Sequence, residues 1–223
     1  MTSMAKPSPR SGHSVLYFDL GSPYAYLAVE RVESALGYMP ELEPILLGSI
    51  FARRGSGSWA HTDERDLRIS ELEARARRYG LPPMAWPESW PADWLRAMRA
   101  ATVAREHGLT AAFARSVFRQ QFVDGQMLSD EVIAVGCTQA GMEAGSVLAA
   151  IETDRVKNAL RAATDTAWEA GVRGVPTLRL AGTVFYGDDQ LEAAARTDTV
   201  PSGGEDSVLA SASDSAGSAR AGQ

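Results

Sequence analysis

Ser22 stands where a predicted strand meets a predicted helix, and its hydroxyl is the first candidate for chemistry in the chain. Residues 15–19 form an apolar and aromatic run typical of a buried strand. Ser22 fits an N-cap, and Pro23 fits the first helical position, where an N–H is not needed. A hydroxyl beside the free N–H groups of a helix start favours an anion, so these residues predict a place that can hold a thiolate. The alternative is that Ser22 only caps the helix.

The chain offers few other groups for covalent or metal chemistry. Cys137 is the only cysteine, which excludes an internal disulfide and a dithiol redox cycle. The three histidines, His13, His61 and His107, are isolated and lack metal-ligand spacing, so a metal site is not expected. Any sulfur nucleophile at Ser22 would therefore come from a small molecule.

A second stretch, far downstream, strengthens the interpretation of Ser22. Residues 171–180 read Gly-Val-Arg-Gly-Val-Pro-Thr-Leu-Arg-Leu, and residues 22–25 read Ser-Pro-Tyr-Ala. Together they resemble the thioredoxin superfamily, and more closely the branch of 2-hydroxychromene-2-carboxylate isomerases and kappa-class glutathione transferases. In that branch Ser-Pro-aromatic replaces the Cys-x-x-Cys of redox relatives. The resemblance covers roughly residues 14–196 and is weak through the middle, where only residues 79–82, Tyr-Gly-Leu-Pro, are similar to a family pattern.

The resemblance implies a thiol-binding role for Val175 and Pro176. In the family this Val-Pro peptide bond is cis and lies beside the active-site helix. The main-chain N–H and C=O of Val175 would then pair with an extended thiol peptide. The alternative is a trans Val-Pro bond that simply begins a strand.

Two adjacent acids are candidates for binding the other end of such a thiol. Residues 186–191, Tyr-Gly-Asp-Asp-Gln-Leu, resemble the family ending Trp-Gly-Asn/Ser-Asp-Arg-Leu. Asp189 matches the aspartate that binds the γ-glutamyl end of glutathione, and Asp188 takes the neighbouring polar position. The alternative is that both acids cap a helix. Gln190 and Arg173 depart from the family pattern, which carries Arg and an aromatic residue there.

The loop after the second strand usually supplies an asparagine to the thiol site, and residues 49–59 contain no clear counterpart. Arg53 and Arg54 could instead bind a carboxylate of the cofactor or the substrate, because a guanidinium binds a carboxylate in a bidentate manner. The alternative is that both are ordinary solvated charges. Tyr24, beside Ser22, is the remaining candidate for contact with the substrate.

The resemblance implies an isomerase that uses glutathione, or another low-molecular-weight thiol, on a keto acid from aromatic degradation. Reversible addition of the thiol to an activated double bond would allow rotation and then release the isomer. Two alternatives stay open. One is a kappa-type glutathione transferase, and the other is a non-catalytic binding module on a thioredoxin fold.

Composition limits the possible partners of the 223-residue chain. A net charge of −6 gives no basic field for nucleic acid. No apolar run has the length of a signal peptide or a membrane span, so a cytoplasmic protein with a small-molecule substrate is expected. The resemblance also implies a homodimer.

The predicted fold class is α/β, a thioredoxin-like fold with a large all-helical insertion. Residues 14–48 and 170–196 form the thioredoxin-like domain, residues 49–169 the insertion, and residues 1–13 and 197–223 disordered tails. The predicted strands are 15–19, 42–47 (at an edge, because of Pro44), 177–180 and 183–186, the last two joined by Ala181-Gly182. A loop at 48–59 precedes predicted helices that begin near residues 63, 91, 110, 129, 146 and 153.

Overall fold

The computed structural model describes residues 14–199, in which four strands form one mixed sheet in the order β2-β1-β3-β4. The central strand β1 (Val15–Phe18) is parallel to β2 (Glu41–Pro44) and antiparallel to β3 (Thr177–Leu180). β3 pairs in turn with antiparallel β4 (Thr183–Tyr186). The predicted α/β class is confirmed, and β2 lies at an edge, where a proline without an N–H is tolerated.

Nine α-helices lie within the described residues, and seven of them stand between β2 and β3. Their bounds are α1 Pro23–Leu36, α2 Leu47–Arg54, α3 Arg65–Arg78, α4 Leu95–Glu106, α5 Thr110–Phe122, α6 Asp130–Ala140, α7 Ala144–Ala150, α8 Asp154–Glu169 and α9 Leu191–Thr199. Single 3₁₀ turns occur at Trp59–His61 and Asp188–Gln190.

Three helices start at residues whose side chains cap them, as the sequence predicted. Ser22 Oγ accepts the main-chain N–H of Ala25 at 3.3 Å, and Pro23 is the first residue of α1, as predicted. Ser129 and Thr153 cap α6 and α8 in the same manner. In each case the side-chain oxygen satisfies an N–H that has no partner inside the helix.

Three helix starts differ from the sequence prediction. Residues 47–54 form α2 where a loop was predicted from the glycine and serine content. Helix α4 begins at Leu95 instead of Pro91, whose peptide bond with Trp90 is cis. Helix α7 begins at Ala144 instead of Ser146, because the Glu143 carboxylate accepts the N–H groups of Gly145 and Ser146.

Strand β1 is buried along its whole length because helices cover both faces of the sheet. Leu16 and Phe18 lie in a large apolar cluster with residues of α1, α4 and α5. Val15 and Tyr17, which point to the opposite face, lie in a smaller cluster with residues of α2 and α8. The end of β1 therefore delivers Ser22 between the two helical layers.

Two of the predicted domain boundaries fall inside helices of the structure. Helix α2 spans the predicted boundary at residue 49, and α9 continues past residue 196 to Thr199. The predicted N-terminal tail, 1–13, and residues 200–223 of the predicted C-terminal tail, 197–223, lie outside the described residues. Among the helices that the structure describes, none combines the length and apolarity needed to cross a bilayer.

Candidate functional site

Two cavities meet at Ser22, between the sheet and the helices α1, α2 and α3. The first has a volume of about 450 Å³ and the second of about 420 Å³. Both are lined by Ser22, by Leu47 and Phe51 of α2, and by Trp59 of the following 3₁₀ turn. A ligand in one cavity therefore lies next to a ligand in the other, with the Ser22 side chain shared between them.

Ser22 is 4% exposed, and its hydroxyl accepts a hydrogen bond from the N–H of Ala25 but donates to no other group within residues 14–199. Pro23 has no N–H, and the N–H of Tyr26 donates to the carbonyl of Ser22. The N–H of Tyr24 is thus left without a partner among the described residues. A free hydroxyl proton and a free helix N–H beside one cavity form a small anion site.

The Val175–Pro176 peptide bond is cis, as the resemblance implied, and both residues line the first cavity. Within the part of the chain that the structure describes, the main-chain N–H and C=O of Val175 have no hydrogen-bond partner. Tyr186 closes this wall, because a β-carbon built on Gly174 would come within 2.7 Å of its ring. An extended peptide could pair with Val175 in this position.

The two acids of the first cavity have different surroundings. Asp188 is fully buried, and its carboxylate is bound to Arg75 Nη1 at 2.9 Å and to the Tyr79 hydroxyl at 2.9 Å. Burial raises the pKa of Asp188, and the nearby Arg75 charge and the Tyr79 hydrogen bond offset part of this increase. Asp189 is exposed in the cavity wall, and its carboxylate has no hydrogen-bond or ion-pair partner among residues 14–199. Only Asp189 therefore presents a carboxylate that a ligand could bind.

The arginines of the cleft come from α3 and not from α2. Arg53 is paired with Asp165, and Arg54 donates to the carbonyl of Arg173 at 2.8 Å, so both predicted ligands lie outside the two cavities. Arg68 and Arg75 line the first cavity instead. They are seven residues apart, which places them on one face of α3, and this spacing was visible in the sequence.

The predicted substrate contact Tyr24 lies in the first cavity, with its ring edge-on to Trp59 at a centroid distance of 6.1 Å. Burial raises the pKa of the Tyr24 phenol, the Glu71 charge adds to the increase, and Arg68 opposes it. Tyr24 is therefore a neutral hydrogen-bonding group at physiological pH.

The second cavity is walled by aromatic rings that sequence analysis did not assign to a site. Trp59, Trp90 and Trp94 line it together with Phe51, and the ring centroids of Trp59 and Trp90 are 5.3 Å apart. Trp90 is 6% exposed, and its indole N–H has no hydrogen-bond partner within the described residues. Such a wall suits a planar, largely apolar ligand.

The remaining candidates for reactive chemistry lie away from the cleft. Cys137 is fully buried in α6, and burial raises the pKa of its thiol to about 11. Within residues 14–199, no cluster of three or more His, Cys, Asp or Glu side chains could hold a metal ion.

Most of the chain is similar to known proteins. The model of the DSBA-like thioredoxin domain matches residues 15–197. Over 186 residues the chain is 25% identical to a 2-hydroxychromene-2-carboxylate isomerase of Sphingobium xenophagum, covering 79% of this chain and 92% of that protein.

Two solved structures are similar over most of their length. A 2-hydroxychromene-2-carboxylate isomerase has a TM-score of 0.72 at 21% identity, covering 82% of this chain and 93% of that one. A probable DsbA oxidoreductase of Streptomyces coelicolor has a TM-score of 0.65 at 20% identity, covering 90% and 94% of the two chains. The predicted thioredoxin-like fold with a helical insertion is confirmed.

Proposed function

The chain belongs to the DSBA-like thioredoxin domain family, and from this membership we propose that it is a thiol-dependent isomerase of the 2-hydroxychromene-2-carboxylate type. One observation carries the proposal: Ser22 and Val175 line a single cavity. The similarity to an isomerase over 79% of the chain supports the same reaction class. The absence of any cysteine from residues 22–25 argues against a dithiol oxidoreductase.

The first cavity fits a thiol peptide such as glutathione. The N–H and C=O of Val175 are available to the cysteinyl residue of the peptide, and the Asp189 carboxylate suits its ammonium group. Arg68, also in the wall, could receive a carboxylate of the thiol or of the substrate. A peptide with its charged groups at two ends and an amide in the middle matches this distribution.

The residues at the helix start would hold the sulfur as an anion. A free thiol has a pKa of about 8.5, and a helix N-terminus lowers this value by favouring the thiolate. The Ser22 hydroxyl and the Tyr24 N–H each have a hydrogen to donate to the sulfur. Ser22 is only 4% exposed, so water competes little for its hydroxyl. The bound thiol would supply a nucleophile that adds reversibly to an activated double bond.

The aromatic walls would orient the second molecule. Phe51 and Trp59 line both cavities, while Trp90 and Trp94 line only the second. Planar rings packed around a flat substrate restrict its rotation and exclude water from the reacting bond.

The test is a comparison of Ser22→Ala with Ser129→Ala. Both substitutions remove a serine that caps a helix, α1 in one case and α6 in the other, and Ser129 lines neither cavity. We expect glutathione-dependent isomerisation of 2-hydroxychromene-2-carboxylate to fall about 100-fold in Ser22→Ala, as when one donor to a developing anion is removed. Ser129→Ala should retain wild-type turnover.

Equal turnover in wild type and Ser22→Ala would overturn the proposal. Conjugation of glutathione to chlorodinitrobenzene by the wild type, without isomerisation, would instead identify the transferase. Absence of both reactions, together with binding of a thiol, would identify a binding module. A thermal-shift series with glutathione measures that binding directly, because a ligand of the native state raises the unfolding temperature.

A further inference from the structure

Helix α2 has no N-cap of its own, and its first N–H groups are bound by distant residues. Leu46, at the cap position, offers no side-chain hydrogen bond. The N–H of Leu46 donates to Thr164 Oγ1 at 3.0 Å, and the N–H of Leu47 donates to Asp19 Oδ2 at 2.8 Å. The start of α2 is therefore held by the carboxylate of Asp19, which directly follows β1. The negative charge of this carboxylate also interacts favourably with the positive end of the helix dipole.

The same carboxylate binds the turn that carries Ser22. Asp19 Oδ1 accepts the N–H of Gly21 at 2.8 Å, and the Asp19 carbonyl accepts the N–H of Ser22 at 3.0 Å. One fully buried residue thus connects the Ser22 turn to the first turn of α2. Leu47, the residue it holds, lines both cavities together with Ser22.

We propose that Asp19 is a positioning residue of the cleft, whose ionised carboxylate fixes the distance between the Ser22 turn and α2. A carboxylate can accept both N–H groups at once. A protonated carboxyl group keeps one carbonyl oxygen, and its hydroxyl oxygen is a much weaker acceptor, so the hydrogen bond from the N–H of either Gly21 or Leu47 would be weakened. The consequence for ligand binding rests on the proposed function, whereas the connection itself does not.

The charge state of Asp19 can change near physiological pH. Burial raises its pKa to about 7, and the hydrogen bonds from Leu47 and Gly21 limit the increase. No charged side chain within residues 14–199 contributes to this shift. The ionised form predominates only above pH 7, so the connection is complete in basic solution and becomes weaker as the pH falls through 7.

Two acids on the elements around Asp19 are paired with arginines. Glu43 of β2 is paired with Arg105 of α4, and Asp165 of α8 is paired with Arg53 of α2. The other charged side chains of β3, α2, α4 and α8 are Arg179, Arg54, Arg96, Arg99, Glu106, Asp154, Arg155, Lys157, Arg161 and Glu169. The pKa of Asp19 is therefore determined by its burial and by the hydrogen bonds from the N–H groups of Leu47 and Gly21.

The first experiment follows the connection without any ligand. In a ¹H–¹⁵N titration of the wild-type protein from pH 5.5 to 8.5, the amide signals of Gly21 and Leu47 should shift with one common midpoint near pH 7. The Asp19→Asn protein should lose this shared titration. The matched control is Asp93→Asn, which also removes a carboxylate that accepts a main-chain N–H, that of Leu95, at an exposed helix start. This control should keep the titration.

The second experiment measures binding of S-methylglutathione, whose sulfur cannot ionise. The ionised fraction of a group with a pKa near 7 rises about tenfold between pH 6 and pH 8, so the wild-type affinity should increase by up to about tenfold. In Asp19→Asn the affinity should be weak and change by less than about twofold. Asp93→Asn should follow the wild type.

The outcomes separate the two proposals. Unrelated titrations of Gly21 and Leu47 in the wild type would overturn the positioning role of Asp19, even where Asp19→Asn fails to fold. An Asp19→Asn protein that binds S-methylglutathione with the wild-type pH profile would also overturn it. A common titration of both amides, without binding of any thiol, would uphold the connection and overturn the proposed function.

Discussion

The indole ring of Trp94 lies directly on Gly21, with no space for a side chain between them. A β-carbon built on Gly21 would lie 2.1 Å from Trp94 Cε2. Since Gly21 precedes Ser22 and Trp94 lines the second cavity, this contact joins the Ser22 turn to the aromatic wall. The absence of a side chain at residue 21 is therefore a condition for the shape of the second cavity.

Gly21→Ala should reshape the second cavity more than the first. The added methyl group displaces Trp94, and we expect kcat/KM for the chromene acid to fall at least about tenfold, with a stability loss of about 1–3 kcal/mol. Affinity for glutathione should change by less than about threefold. The control is Gly48→Ala in the same cavity, where an added β-carbon meets no atom within 4 Å. Equal kinetics for both variants would contradict this prediction.

Arg75→Met should destabilise the fold by about 3 kcal/mol, because it leaves the buried Asp188 carboxylate without its charged partner. The double variant Arg75→Met/Asp188→Leu should lose less than the sum of the two single variants. Arg96→Met is the matched control, since its partner Asp130 is half exposed, and it should cost less than about 1 kcal/mol. Urea denaturation measures the wild type and the four variants, and additive losses in the two single variants and the double variant would argue against coupling.

The stability difference between wild type and Asp19→Asn should depend on pH. The pKa of Asp19 is about 7 in the folded protein and about 3.9 in the unfolded chain, so the folded state binds more protons between these values. The contribution of Asp19 to the free energy of unfolding is therefore lost as pH rises through 7. From pH 8 to pH 5 the wild type should gain about 2–3 kcal/mol relative to Asp19→Asn. A difference that is constant with pH would contradict the raised pKa.

Cys137 should take no part in the proposed thiol-dependent isomerisation. Its thiol is buried with a pKa of about 11, so we expect almost no reaction with a disulfide reagent in the native protein and one reactive thiol after unfolding. Cys137→Ala should keep full thiol-dependent turnover and lose about 1 kcal/mol of stability. Loss of activity at wild-type stability would contradict the assignment of the nucleophile to a bound thiol.

Elements with local signals were predictable from the sequence. Ser22-Pro23 marks the start of α1, and the pair Ala181-Gly182 marks the hairpin of β3 and β4. Both residues of this turn have positive φ, 48° and 85°, which matches the twist of the paired strands. The signals act over four residues or fewer, so no distant contact is needed to form them.

The start of α2 could not be predicted, because its cap comes from Asp19 and Thr164, which are 28 and 118 residues away in the sequence. Glycine and serine at residues 48, 49 and 55–58 favoured a loop by composition. Tertiary hydrogen bonds override that preference, since each satisfies an N–H that would otherwise be buried without a partner.

By itself, the sequence determined that Ser22 caps a helix beside a strand and that no cysteine stands near it, since both follow from neighbouring residues. Only the tertiary structure decided that Arg68 and Arg75, and not Arg53 and Arg54, line the cleft. All four arginines lie on or beside polar helical stretches and are equivalent by composition. The direction in which a helix faces depends on which of its sides packs against the rest of the protein, and that packing involves residues far away in the chain.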